Sequence, residues 1–143
     1  MKKNVVGILF LLLIISGCVA SKKMNNDQII LKIERTPCLG KCPVYTFEIY
    51  DNKTLKYNGV KNVPNQGVRE LKLSKKEYTN LISRFEKLPF SRYNTEYGPT
   101  NIRDITYVYV TYKGKKVKMT QGSEPKELLN QVREIEKQYK LIE

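Results

Sequence analysis

Hydrophobic residues change rhythm along this chain, and each rhythm predicts a different kind of element. Residues 5–15 are apolar throughout apart from Gly7. From residue 29 apolar and polar positions alternate: residues 29–35 read as a short strand leading into a cysteine-containing turn. Tyr45, Phe47 and Ile49 then alternate with Thr46 and Glu48, and Leu55, Tyr57 and Gly59 with Lys56 and Asn58. Period two places every second side chain on one sheet face, so these runs, joined by Asp51-Asn52-Lys53, predict a hairpin with one apolar face. Past residue 73 the period becomes helical. Ser74-Lys75-Lys76-Glu77 has the spacing of a capping box, Tyr78, Leu81, Ile82, Phe85 and Leu88 share one helical face, and Pro89 marks the end. A second cycle follows: a strand over 105–112, a Lys113-Gly114 turn, a strand over 117–120, and Ser123 as N-cap. A helix striped by Leu128, Leu129, Val132, Ile135 and Tyr139 closes the chain.

This order, strand then strand-strand-helix twice (β-ββα-ββα), predicts an α+β fold. The expected architecture is an antiparallel sheet of about four to five strands with two helices packed on one face. The opposite sheet face is expected to stay partly open. Tyr107, Tyr109 and Thr111 fall on one side of their strand and Val108, Val110 and Tyr112 on the other, so that strand reads as two-sided and central. The domain is expected over residues 28–143, preceded by a polar, aperiodic tether over 19–27. That length suits one compact domain.

The apolar run at the start asks for a different explanation. Lys2 and Lys3 precede it and Ile15-Ser16-Gly17-Cys18 follows directly, the three-part layout of an export signal. As a helix the run would reach roughly 16 Å, about half of a ~30 Å hydrocarbon core, so a permanent span is disfavoured. Ile15-Ser16-Gly17-Cys18 resembles the lipobox of bacterial lipoproteins: an aliphatic residue, two small ones, and the cysteine that is lipidated and becomes the mature N-terminus. The resemblance implies that residues 1–18 form a signal peptide ending at lipidated Cys18, with palmitate-type chains anchoring the domain. One chain binds a membrane only marginally, at ~0.8 kcal/mol per buried CH₂, whereas two or three hold it. Val19-Ala20-Ser21-Lys22-Lys23 has neither an inner-membrane retention Asp nor an acidic export cluster. An outer-membrane anchor with the domain facing the periplasm is expected, or the plasma-membrane exterior in a Gram-positive cell.

Charge changes the picture little. With 26 Lys and Arg against 14 Asp and Glu the formal charge is +12, most of which survives the loss of Lys2 and Lys3. An envelope protein or an anionic envelope polymer is an expected partner class. The lysines are scattered, which is also how a solvated surface reads. An exported domain does not normally meet nucleic acid, so none is expected as partner.

Three cysteines occur, and with Cys18 lipidated Cys38 and Cys42 remain, in an oxidising compartment. A disulfide between them needs Cα atoms about 4.4 to 6.8 Å apart. Leu39-Gly40-Lys41 must then turn tightly, with Gly40 free to take positive φ and Pro37 and Pro43 stiffening the shoulders. So small a ring stabilises by roughly 2 kcal/mol on the loop-entropy model. Two other readings stand beside this structural one. Redox exchange is one, although familiar dithiol enzymes use Cys-x-x-Cys at a helix start. Metal handling is the other, although zinc or copper would need partner ligands and the chain has 0 His. The run from Ile33 to Tyr45, with its Arg-x-Pro-Cys-x-Gly-x-Cys-Pro-x-Tyr spacing, resembles a family of uncharacterised bacterial lipoprotein domains. That resemblance implies a domain of unknown function and no particular activity.

Catalytic chemistry finds few candidates. Without His, Ser-His and Cys-His pairs and nearly all zinc hydrolases are excluded. Glu48, Asp51, Glu70, Glu96 and Asp104 show no paired motif, and no glycine-rich phosphate loop is present. The expectation is a non-enzymatic module without metal or cofactor that binds or interacts through its open sheet face, Tyr107 and Tyr109, or through Tyr93 and Tyr97 in the tyrosine-rich segment 93–100. The alternative is a thiol-redox or metal-handling lipoprotein centred on Cys38 and Cys42.

Overall fold

The computed structural model describes residues 27–142 apart from 121 and 124; the expected signal peptide, Cys18 and the expected tether as far as residue 26 lie outside the described residues. Among the described residues seven strands form one sheet in the order β4-β3-β2-β1-β6-β7-β5. They are β1 Ile29–Arg35, β2 Val44–Tyr50, β3 Thr54–Lys61, β4 Gly67–Lys72, β5 Glu96–Tyr97, β6 Tyr107–Tyr112 and β7 Lys115–Thr120. Two helices, α1 Lys75–Glu86 and α2 Lys126–Gln138, pack on one face, and a short 3₁₀ turn covers Phe90–Arg92. Among the described residues no helix is long and apolar enough to cross a membrane.

The fold is α+β, but the expected sheet of four to five antiparallel strands is corrected to seven strands and mixed direction. The additions are β4, which pairs antiparallel with β3, and β5, which pairs parallel with β7. Both sit at sheet edges. Every residue of β4 is exposed, so its sequence carries no strong apolar alternation. Charged side chains on such an edge also discourage pairing with another chain.

Alternation elsewhere is regular. Leu31 and Ile33, Phe47 and Ile49, Val108 and Val110, and Val117 and Met119 are each fully buried. The register brings them together across β1, β2, β6 and β7 on the helix-covered face. From α1, Phe85 meets Tyr112 with ring centroids 5.7 Å apart, and Tyr139 beyond α2 meets Phe47 at 5.3 Å. Ser74 caps α1 in a complete capping box with Glu77. Ser123 does not cap α2, whose N-cap is Pro125. The Ser123 hydroxyl instead donates to the Thr120 carbonyl at 2.7 Å and accepts from the Thr120 N–H at 3.1 Å, holding the turn after β7. Lys113 and Gly114, at φ 46° and 85°, make the tight turn of the β6–β7 hairpin.

Candidate functional site

β1 and β2 form a hairpin, and Cys38 and Cys42 lie in the loop that joins them. Their disulfide has a Cα separation of 5.8 Å. Gly40 is not among the glycines with positive φ, so the expectation that it needs that freedom is corrected. A Cβ there would meet only Cys38 Sγ, at 3.7 Å. The Gly40 N–H points at the same sulfur, 3.2 Å away. Asn62, in the turn after β3, donates to the Cys42 carbonyl at 3.0 Å. Leu39, at the tip, is 80% exposed.

Beneath this loop lies the most polar part of the interior. Arg35 ends β1 and faces Tyr45 at the start of β2, so both point to the helix side. There they converge on Glu136 of α2, which is 1% exposed. Arg35 donates from Nε and Nη2, at 2.5 and 3.1 Å, to the two carboxylate oxygens, and the Tyr45 hydroxyl donates to one of them at 2.5 Å. Burial alone would lower the Arg35 pKa, but the bonds to Glu136 outweigh it and raise it. Burial, then the Glu136 charge, pushes the Tyr45 phenol well above its usual range. A buried charge needs such complete pairing to be tolerated. The cluster clamps both shoulders of the disulfide loop to the last helix.

The open face presents a second arrangement. Lys32 bridges Glu34 at 3.3 Å and Glu48 at 3.4 Å. Lys116 and Lys118 sit over the rings of Tyr109 and Tyr107, 4.2 and 4.4 Å from their centroids. They also reach Glu34 at 3.8 Å and Glu96 at 3.9 Å. For Lys32, desolvation lowers the pKa while Glu34 and Glu48 raise it, and the net shift is upward. Tyr107 is fastened as well, its hydroxyl accepting from the Ile102 N–H at 2.8 Å and donating to the Ile102 carbonyl at 3.1 Å. On this face Lys32, Lys116 and Lys118 and the rings of Tyr107 and Tyr109 already have partners.

The four singled-out tyrosines therefore form two separate pairs. Tyr107 and Tyr109 share the open face, 6.5 Å apart. Tyr93 and Tyr97 meet edge-on at 6.5 Å and pack against the hydrophobic core at the β5 edge. Tyr97 also accepts from the Asn94 N–H at 2.9 Å, so it shapes its own loop. Cys38 and Cys42 join neither pair. Glu136 escaped the sequence reading, yet a signal was there: it stands on the apolar stripe of α2, four residues after Val132 and three before Tyr139. Arg35 likewise takes the inward position after Leu31 and Ile33. Among the described residues no three His, Cys, Asp or Glu side chains gather to hold a metal.

Disulfide-braced hairpin, buried clamp and open charged face together describe a small α+β domain. The chain belongs to the family described as a domain of unknown function, DUF6438, whose model matches residues 29–142. No curated protein and no solved structure matches it.

Proposed function

We propose that this chain is a bacterial envelope lipoprotein, tethered by lipid on Cys18, whose domain is a periplasm-facing interaction module that meets a protein partner with its disulfide-braced end. The observation that carries the reading is the distribution of exposed hydrophobic residues. Six large ones are exposed among the described residues, and four of these, Leu39, Val60, Val68 and Ile102, belong to loops and strand ends at the disulfide end. Large apolar side chains gathered at one end of a soluble domain mark an interaction surface. The clamp and the disulfide keep the loop in one shape before any encounter, which lowers the ordering cost of binding.

Direction supports the same reading. The chain enters the domain beside the Asp51 turn, where the Gln28 N–H donates to Asp51 at 3.2 Å. That is the opposite end of β1 from Arg35, about 20 Å away along its seven residues. A tether attached there leaves the disulfide end on the far side from the anchor. Intact-mass measurement of the membrane-extracted protein tests the anchor: a chain starting at Cys18 with a diacylglyceryl adduct is expected, and an unprocessed N-terminus would overturn it. Photocrosslinkers placed in living cells at Leu39 and Val68 should give one discrete adduct that a probe at Lys56, on the open face, does not; equal adducts from all three sites would overturn the docking end.

One observation favours a second reading, thiol exchange. The Gly40 N–H directed at Cys38 Sγ would stabilise a thiolate there and so a leaving group in disulfide exchange. The reduction potential separates the two.

A further inference from the structure

The inner face of β3 and β4 continues past the end of α2, and a groove opens there. Leu55, Tyr57, Leu71 and Leu141 wall it, Asn65 and Arg69 stand at its polar side, and its volume is ≈ 100 Å³. A dry cavity of about 150 Å³ accepts benzene, so this space suits a branched chain of a few carbons or the edge of a ring. Arg69 lies directly opposite Tyr57 in the β3–β4 register and makes no ion pair or hydrogen bond among the described residues. The Tyr57 hydroxyl is buried and also lacks a hydrogen-bond partner. Apolar walls and one unpaired guanidinium thus meet in the same small space, with the Tyr57 phenol buried behind the wall. A larger groove of ≈ 350 Å³ beside α1 lacks this combination. There Lys113 already pairs with Glu86 at 3.3 Å, and Lys115 donates to the carbonyls of Ser91 and Tyr93 at 2.7 and 2.6 Å.

We propose that the groove between β4 and the end of α2 is a binding site for a carboxylate carried on a small apolar body, with Arg69 holding the carboxylate and the leucine walls covering the body. The guanidinium fork matches a carboxylate in two parallel hydrogen bonds. A single cation balances a single negative charge, which favours a monoanion. The chemistry fits two sources, a free short-chain acid or the C-terminal residue of a peptide.

The test uses the full chain in phosphatidylcholine nanodiscs with ¹³C-labelled leucine methyl groups, titrated with isovalerate, with isovaleramide, and with acetyl-Ala-Leu carrying a free or amidated C-terminus. Methyl shifts at Leu55, Leu71 and Leu141 with a free carboxylate, absent with the amides and weakened about tenfold or more in Arg69→Gln, are expected. Tighter binding of isovalerate names a free acid as the source, and tighter binding of the peptide names a chain terminus. Arg69 is exposed, so the variant keeps the fold and its methyl spectrum serves as the control. No shifts with either carboxylate, equal shifts with the amides, or unchanged affinity in Arg69→Gln would overturn the site.

Discussion

Replacing Glu136 by Gln exchanges one carboxylate oxygen for an NH₂ at almost no change in volume, yet it should be among the most damaging single changes available in α2. The carboxylate accepts two bonds from Arg35 and one from Tyr45, and Arg35 is itself only 9% exposed. The amide keeps one acceptor oxygen, turns an NH₂ toward groups that are themselves donors, and leaves the guanidinium charge buried and uncompensated. Breaking a buried pair from one side costs about 3 to 5 kcal/mol, and the retained acceptor places Glu136→Gln near the lower end. For a domain of this size that corresponds to a drop in Tm of roughly 12 °C. Urea unfolding followed by far-UV circular dichroism measures it. The companion variant joins Arg35→Met, Tyr45→Phe and Glu136→Leu, removing the stranded charge with the partner. It should return to within about 1 kcal/mol of the parent or exceed it. A Glu136→Gln loss below about 1 kcal/mol, or a triple variant no better than the single one, would refute the clamp.

High pH should act on the same cluster. The Tyr45 phenol is raised well above 10.0 by burial, with the Glu136 charge adding to it. The unfolded chain therefore releases this proton first, and the associated stability is intact below pH 10 and lost as pH rises beyond it. Urea midpoints should fall above pH 10, less steeply in Tyr45→Phe. Gly59→Ala should destabilise by more than about 2 kcal/mol, because its Cβ would lie 2.0 Å from the Asn65 carbonyl oxygen. Gly40→Ala should leave the urea midpoint unchanged within error, since Gly40 has neither positive φ nor a close neighbour. Ser74→Ala should cost about 1 kcal/mol by removing the α1 capping box.

The central strands and both helices were legible because each buries one face against the other layer and so repeats apolar residues at a fixed period. β4 was not, since as an exposed edge it has no buried side to impose a period. β5 escaped because two residues cannot show a period. Ser123 had the chemistry of an N-cap, but a turn at Thr120 competed for its hydroxyl. Cys38 and Cys42 could be named as a pair from spacing alone. Their surroundings could not, because the clamp joins Arg35 and Tyr45 to Glu136, 101 and 91 residues away. A charge interrupting a strand alternation and another interrupting a helix stripe were each visible separately, and only the fold brings them together.

The reduction potential of the Cys38–Cys42 pair in the full chain bears most directly on the claim that it braces a presented loop. The bonds of Arg35 and Tyr45 to Glu136 do not involve the sulfurs, so the reduced thiols are expected to stay close together and to re-form the bond readily. The expected value lies below about −300 mV, in the range of structural disulfides. A value near or above about −200 mV would mark a labile bond, contradict the bracing role, and favour thiol exchange as the work of this domain.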